Sequence, residues 1–215
     1  MAIHLDQYRL SYFPVPKVAC TSLKHLLFRI ETGAAFQNIG PDGRPRSIHD
    51  VYPTGLFALD SEAAPPDFRR FAVVRDPVSR IVSCYRSRVV FYRELSPSAL
   101  ADAGAPADLP PDPDLPQFVE RLDDYRAASE SIAHHAAPLS DFLGTDTGFY
   151  ERIFGWHELE VFRNILAAAC GIEELVLPHL QTGGPIIDIG DLSTDVVRTI
   201  ERRFAEDSAL FGAHF

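Results

Sequence analysis

The stretch Phe13-Pro-Val-Pro-Lys-Val-Ala-Cys-Thr-Ser-Leu-Lys24 decides how the chain is read. Just before it, Tyr8 to Phe13 is rich in aromatic residues and predicts a short strand. After it, Leu23, Leu26, Leu27 and Ile30 recur at i, i+3, i+4 and i+7, which is one face of a helix. Thr21 or Ser22 is placed to cap that helix. The stretch therefore reads as strand, tight loop and helix, with the helix N-terminus aimed into the loop. Exposed N–H groups and the positive end of the helix dipole make such a point an anion site. Lys17 adds a full charge there. The chain has 20 lysines and arginines together, and only Lys17 and Lys24 are lysines. Lysine is a movable point charge, whereas arginine is a rigid fork. That both lysines fall in one unit singles it out.

A second unit of the same kind lies downstream. Phe71-Ala-Val-Val74 is a short apolar run of the sort found in buried parallel strands. It leads directly into Arg75-Asp-Pro-Val-Ser-Arg80. Asp76 is a good N-cap and Pro77 a good first helical residue, so a helix is predicted to about Tyr92. Arg75 falls at the strand end, Ser83 about two helical turns on, and Arg80, Ser83 and Ser87 share a face. Arginine forks and serine hydroxyls are phosphate ligands. In open parallel sheets ligands bind at the carboxyl ends of strands, so two such loops suit a ligand with two separated anionic groups.

The rest of the chain alternates strand and helix signals. Residues 31–50 read as loop, with Gly33, Gly40, Pro41, Gly43 and Pro45 as punctuation. Residues 96–116, with prolines, aspartates and few large apolar groups, predict a Pro/Asp-rich surface loop outside the core. Leu115 to Tyr125 predicts a short amphipathic helix. Arg152 to Gly155 predicts a strand, and Trp156 to Cys170 a helix closed by Gly171. Residues 177–184 read as loop. Ser193 caps a last helix with Val196, Val197, Ile200 and Phe204 on one face, running to near Gly212. The alternation indicates an α/β fold, a central parallel sheet flanked by helices, in one domain over residues 1–215.

Composition narrows the function classes. A net charge of −10 argues against a nucleic-acid surface, which needs a basic patch. The three cysteines, Cys20, Cys84 and Cys170, have neither disulfide-framework nor zinc spacing. No signal peptide precedes the first strand, and no apolar run reaches the roughly 20 residues that span a bilayer. The expectation is a soluble protein of a reducing cytosol. Nothing in the chain indicates an oligomeric state.

Residues 16–24 closely resemble the 5′-phosphosulfate loop of carbohydrate sulfotransferases. Residues 71–85 resemble the 3′-phosphate motif of the same family, Arg-Asp-Pro-x-x-Arg-x-x-Ser-x-Tyr, in Arg75 to Tyr85. His135-Ala-Ala-Pro138 is similar to a histidine–proline motif of the group, with Leu139 where a glutamine is common. Phe204 to Gly212 looks like the family's C-terminal helix. The likeness runs in the expected order along nearly the whole chain. Unlike the Golgi members, the chain shows no membrane anchor and looks like a soluble bacterial version.

The resemblance implies a P-loop-like three-layer fold. It implies 3′-phosphoadenosine 5′-phosphosulfate as sulfuryl donor, and a hydroxyl of a carbohydrate or related acceptor. It places the 5′ group on Lys17, Val18, Ala19, Cys20, Thr21 and Ser22, and the 3′-phosphate on Arg75 and Ser83. Sulfuryl transfer, like phosphoryl transfer, is a displacement in which positioning and charge stabilisation dominate. Lys17 would neutralise the leaving phosphate oxygen. No metal is required, and no metal cluster is visible. For the base, His49 and His135 are candidates. His49 lies in the interval where heparan-type relatives carry their catalytic histidine and is favoured. His135 takes an acceptor-positioning role. Lys24, further along the helix, is expected to matter less than Lys17. The rivals are a non-catalytic nucleotide-binding relative and a P-loop kinase, although the loop lacks Gly-x-x-x-x-Gly-Lys-[Ser/Thr]. A cysteine phosphatase would need an arginine where Leu26 or Val90 stands.

Overall fold

The structure is a computed structural model that describes residues 1–40, 42–180 and 183–215. Pro41, read as a loop residue, and Gln181 and Thr182, inside the loop read over 177–184, lie outside the described residues. The strands are β1 (Ile3–Leu5), β2 (Leu10–Phe13), β3 (Arg69–Val74) and β4 (Arg152–Gly155). The helices up to the middle of the chain are α1 (Cys20–Thr32), α2 (Ile48–Val51), α3 (Phe57–Ala63), α4 (Pro77–Cys84), α5 (Pro97–Asp102) and α6 (Leu115–Glu120). The remainder are α7 (Leu122–Ala128), α8 (Glu130–His135), α9 (Ser140–Leu143), α10 (Leu159–Cys170), α11 (Thr194–Arg203) and α12 (Ala205–Phe211). The chain divides into two compact units, residues 1–75, 139–181 and 213–215, and residues 76–138 and 182–212.

The first unit holds the sheet, in the order β1-β2-β3-β4. β2, β3 and β4 are parallel, with Leu10 opposite Arg69 and Phe71 opposite Arg152. Their carboxyl ends, Phe13, Val74 and Gly155, therefore lie along one edge. β1 pairs antiparallel with β2, so the sheet is mixed rather than all parallel. The reason is the short link: Asp6–Tyr8 form one 3₁₀ turn and Arg9 turns the chain at φ 50°, and only antiparallel strands can be joined so tightly.

Alternation along the strands sends Tyr12, Phe71 and Phe154 to one face. There Phe162 of α10 meets all three rings at centroid distances of 5.6, 6.0 and 4.8 Å. Phe13 points the other way, against Phe57 of α3, Phe149 and Tyr150. Both faces are thus covered, which is why Phe71 to Val74 reads as an unbroken apolar run. Each such buried ring contributes about 1.5–3 kcal/mol of transfer free energy.

The second unit is helical. Asp76 caps α4 by accepting from Ser79 N–H at 2.8 Å, with Pro77 in the first turn. The helix predicted to Tyr92 changes character at Tyr85, where residues Tyr85–Phe91 continue as a π-helix. Residues 96–116 are not simply a surface loop. Ser96 caps α5, and Leu100, Leu109 and Leu115 are buried among Val82, Phe118 and Leu122. Few apolar residues are present, but these three leucines reach the core. The helix predicted from Leu115 breaks at Arg121 into α6 and α7, and the last helix breaks at Phe204 into α11 and α12. Arg80 is fully buried on α4. It donates to the Ala137 carbonyl at 2.5 Å and lies 3.8 Å from the Asp207 carboxylate of α12. A buried ion pair of this kind is costly to break from one side.

Candidate functional site

The loop after β2 is tightly held. Pro14, Val15, Pro16 and Val18 are buried, while Lys17 is partly exposed. Lys17 and Ala19 have φ of 66° and 49°, a left-handed backbone that L-residues adopt at a cost of about 1–2 kcal/mol each. Such strain persists where the surroundings enforce it, most often at functional sites.

Helix α1 begins at Cys20, earlier than either residue predicted to cap it. Ala19 stands at the N-cap and offers no side-chain acceptor. The N–H groups of Cys20, Thr21 and Ser22 fall in the first turn, where no intrahelical acceptor exists. This is the preformed anion site of a helix start. Thr21 and Ser22 sit inside the helix with their hydroxyls otherwise engaged. Ser22 Oγ accepts from Leu180 N–H at 3.3 Å, and Thr21 Oγ1 lies 3.0 Å from His49 Nε2.

His49 comes from α2, a single turn fixed by its cap. Ser47 Oγ accepts from His49 N–H, the Asp50 carboxylate accepts from Ser47 N–H at 2.7 Å, and Ile48 is buried beneath. The structure thus brings His49 to the Lys17 helix start. It also brings Lys24, which the sequence reading ranked low. Lys24 Nζ is 3.1 Å from His49 Nδ1 and donates to Thr54 Oγ1 at 2.7 Å, and the side chain is wholly buried. Burial pulls its pKa down to about 8, against the opposing pull of Cys20 and Asp60. The one available signal was its rarity and its place beside Leu23 and Leu27 on the apolar face. Cys20, the first residue of α1, is partly exposed.

Arg75 follows the end of β3. Its guanidinium lies over the ring of Trp156, 4.6 Å from the centroid, and Trp156 follows the end of the neighbouring strand β4. The indole, 40% exposed, supports the fork from one side. Gly155, at the end of β4, leaves room for the His214 carbonyl and the His157 ring, which a Cβ there would overlap. Trp156 was not singled out from the sequence, although it is the only tryptophan in the chain.

In the second unit, Ser83 lies on α4, partly buried. His135 ends α8. An arginine can only donate, so Nε2 of His135 accepts from Arg88 at 2.8 Å, and Nδ1–H donates to the Ser131 carbonyl at 2.8 Å. Arg88 also binds Glu94 at 3.0 Å. Both ring nitrogens are thereby engaged, and these bonds fix the ring in place. Arg80, grouped with Ser83 and Ser87 on the helix face, is the buried partner of Asp207 instead.

Among the described residues no cluster of histidine, cysteine or carboxylate side chains could hold a metal ion, and no helix is long and apolar enough to cross a membrane. A family model described as "Sulfotransferase family" matches residues 2–212. Comparison with curated proteins and with solved structures finds no match.

Proposed function

Because the chain belongs to the sulfotransferase family, we propose that it transfers a sulfuryl group from 3′-phosphoadenosine 5′-phosphosulfate to a hydroxyl of a carbohydrate or related acceptor. The observation that carries this reading is the helix start behind Lys17. It is uncapped, it follows a strained loop at the carboxyl end of a parallel strand, and it lies on the same sheet edge as Arg75. In this reading the loop works as a P-loop-like cradle. The amides of Val18 to Ser22 bind the phosphosulfate, and Lys17 neutralises the phosphate oxygen as it departs. Arg75, backed by Trp156, takes the 3′-phosphate through its fork. Ser83 is assigned to that phosphate, and His135 to acceptor positioning, on the family motifs alone.

The acceptor oxygen attacks sulfur, the bond from sulfur to the 5′-phosphate oxygen breaks, and adenosine 3′,5′-bisphosphate leaves. The hydroxyl proton goes to Nε2 of His49, the ring nitrogen that faces the helix start. Incubation with donor carrying labelled sulfate and a panel of sugars tests the assignment: label is expected in the sugar. Lys17→Ala should lower turnover by roughly 100-fold, as for loss of an electrostatic stabiliser, with a smaller effect on donor binding. Donor binding without any transfer would make the chain a nucleotide-binding relative instead.

A further inference from the structure

Lys24 has no exposed side-chain surface, and among the described residues no carboxylate lies within ion-pair distance of it. Its polar neighbours are His49 Nδ1 on α2 and the Thr54 hydroxyl beyond it. The charged and titratable groups that face it are the Cys20 thiol on its own helix, His49, Asp60 on α3 and the Met1 amine. Asp60 is itself 3.6 Å from that amine, which takes up its charge. A cation so placed has little to hold its proton.

The two forms of Lys24 make opposite demands on His49. An ammonium can only donate, so Nδ1 must accept, the ring proton sits on Nε2, and Nε2–H points at Thr21 Oγ1. An uncharged amine has a lone pair and can accept Nδ1–H. The Nε2 lone pair then faces Thr21 and the helix start. We propose that Lys24 is a positioning residue that selects the tautomer of His49, and that only its uncharged amine leaves Nε2 able to take a proton from the acceptor hydroxyl. This rests on the sulfuryl-transfer reading above. The proton balance is simple: the hydroxyl proton moves to Nε2, His49 becomes imidazolium, and its Nδ1–H stays hydrogen-bonded to the Lys24 amine. The logic is that of a histidine whose second nitrogen is fixed by a neighbour, with an amine in the place usually held by a carboxylate. With a Lys24 pKa of about 8, the active form is the minority below that pH.

The test reads the tautomer directly, by the ring-nitrogen shifts of His49 in uniformly labelled protein without ligand, and reads turnover separately. In the native chain Nε2–H is expected on the acid side of the Lys24 titration and Nδ1–H on the alkaline side. Turnover should rise about tenfold from two-unit-wide sampling around that titration. Lys24→Arg, permanently charged, should keep Nε2–H throughout and lose turnover by about 100-fold with donor KM nearly unchanged. Lys24→Met, which carries the test if the arginine does not fit, should show neither the tautomer change nor the alkaline rise. A single His49 tautomer in the native chain across the range overturns the inference, whatever the activity. So does an alkaline rise that survives in Lys24→Met. A tautomer change in a protein that transfers no sulfate supports the positioning role and overturns the reading of the reaction.

Discussion

Lys17 and Ala19 show how a single residue's backbone can shape a site. Both lie in the left-handed region, and Ala19 stands at the N-cap of α1, ahead of where Thr21 and Ser22 suggest a cap. Ala19→Gly should therefore raise stability by roughly 0.5–1 kcal/mol, because glycine adopts this backbone without penalty. The same change at Ala167, inside α10, should lower it by about 1 kcal/mol. Urea midpoints of the two variants check the contrast, and equal losses in both would contradict the backbone assignment. A second residue-scale expectation uses Trp156. As the one tryptophan, stacked under Arg75, it should report on that guanidinium. Adenosine 3′,5′-bisphosphate should change its emission and adenosine 5′-phosphate should do so much less. Identical responses would take the 3′-phosphate away from Arg75.

At the scale of elements, the strand–loop–helix units were legible because their signals are local. An aromatic strand, a helical apolar stripe, an Asp76-Pro77 cap and a Gly171 stop each depend on a few neighbouring residues. What was not legible depends on partners far along the chain. Nothing near Lys24 announces His49 or Thr54, and nothing near Trp156 announces Arg75. Nor could composition reveal that Leu100, Leu109 and Leu115 anchor a proline-rich segment in the core. The placement of Lys24 on α1 has a thermodynamic consequence. Its pKa falls from 10.5 unfolded to about 8 folded, so between those values the unfolded chain binds more protons. Stability should rise with pH across that window, by up to about 3 kcal/mol for a fully realised shift, and the cost should be fully present below it. Cys170, raised by burial from 9.0, and Tyr52, raised from 10.0 by burial and by Glu31, act in the opposite sense only above those ordinary values. Urea midpoints that stay flat or fall from about pH 8 to 9, below the range of Cys170 and the tyrosines, would show that Lys24 is not desolvated as described.

At the scale of the whole molecule, a chain with a net charge of −10 contains a local anion site. A small donor with anionic groups at its two ends can be held by a few amides, Lys17 and Arg75, but a long polyanion would be repelled by the net negative charge. The acceptor is accordingly expected to be uncharged or weakly charged, and a heparin column at low ionic strength should let the protein pass. Tight retention would reverse that expectation. The second unit, meanwhile, is assembled from two separated stretches of chain, 76–138 and 182–212. Its buried Arg80 waits on Asp207. During synthesis, where the earlier parts of a chain begin to fold first, the arginine leaves the ribosome long before its carboxylate is made. Until Asp207 emerges, closing the helices around Arg80 would bury its charge without that carboxylate, which disfavours closure of the nascent second unit while the sheet of the first unit gathers its last strand.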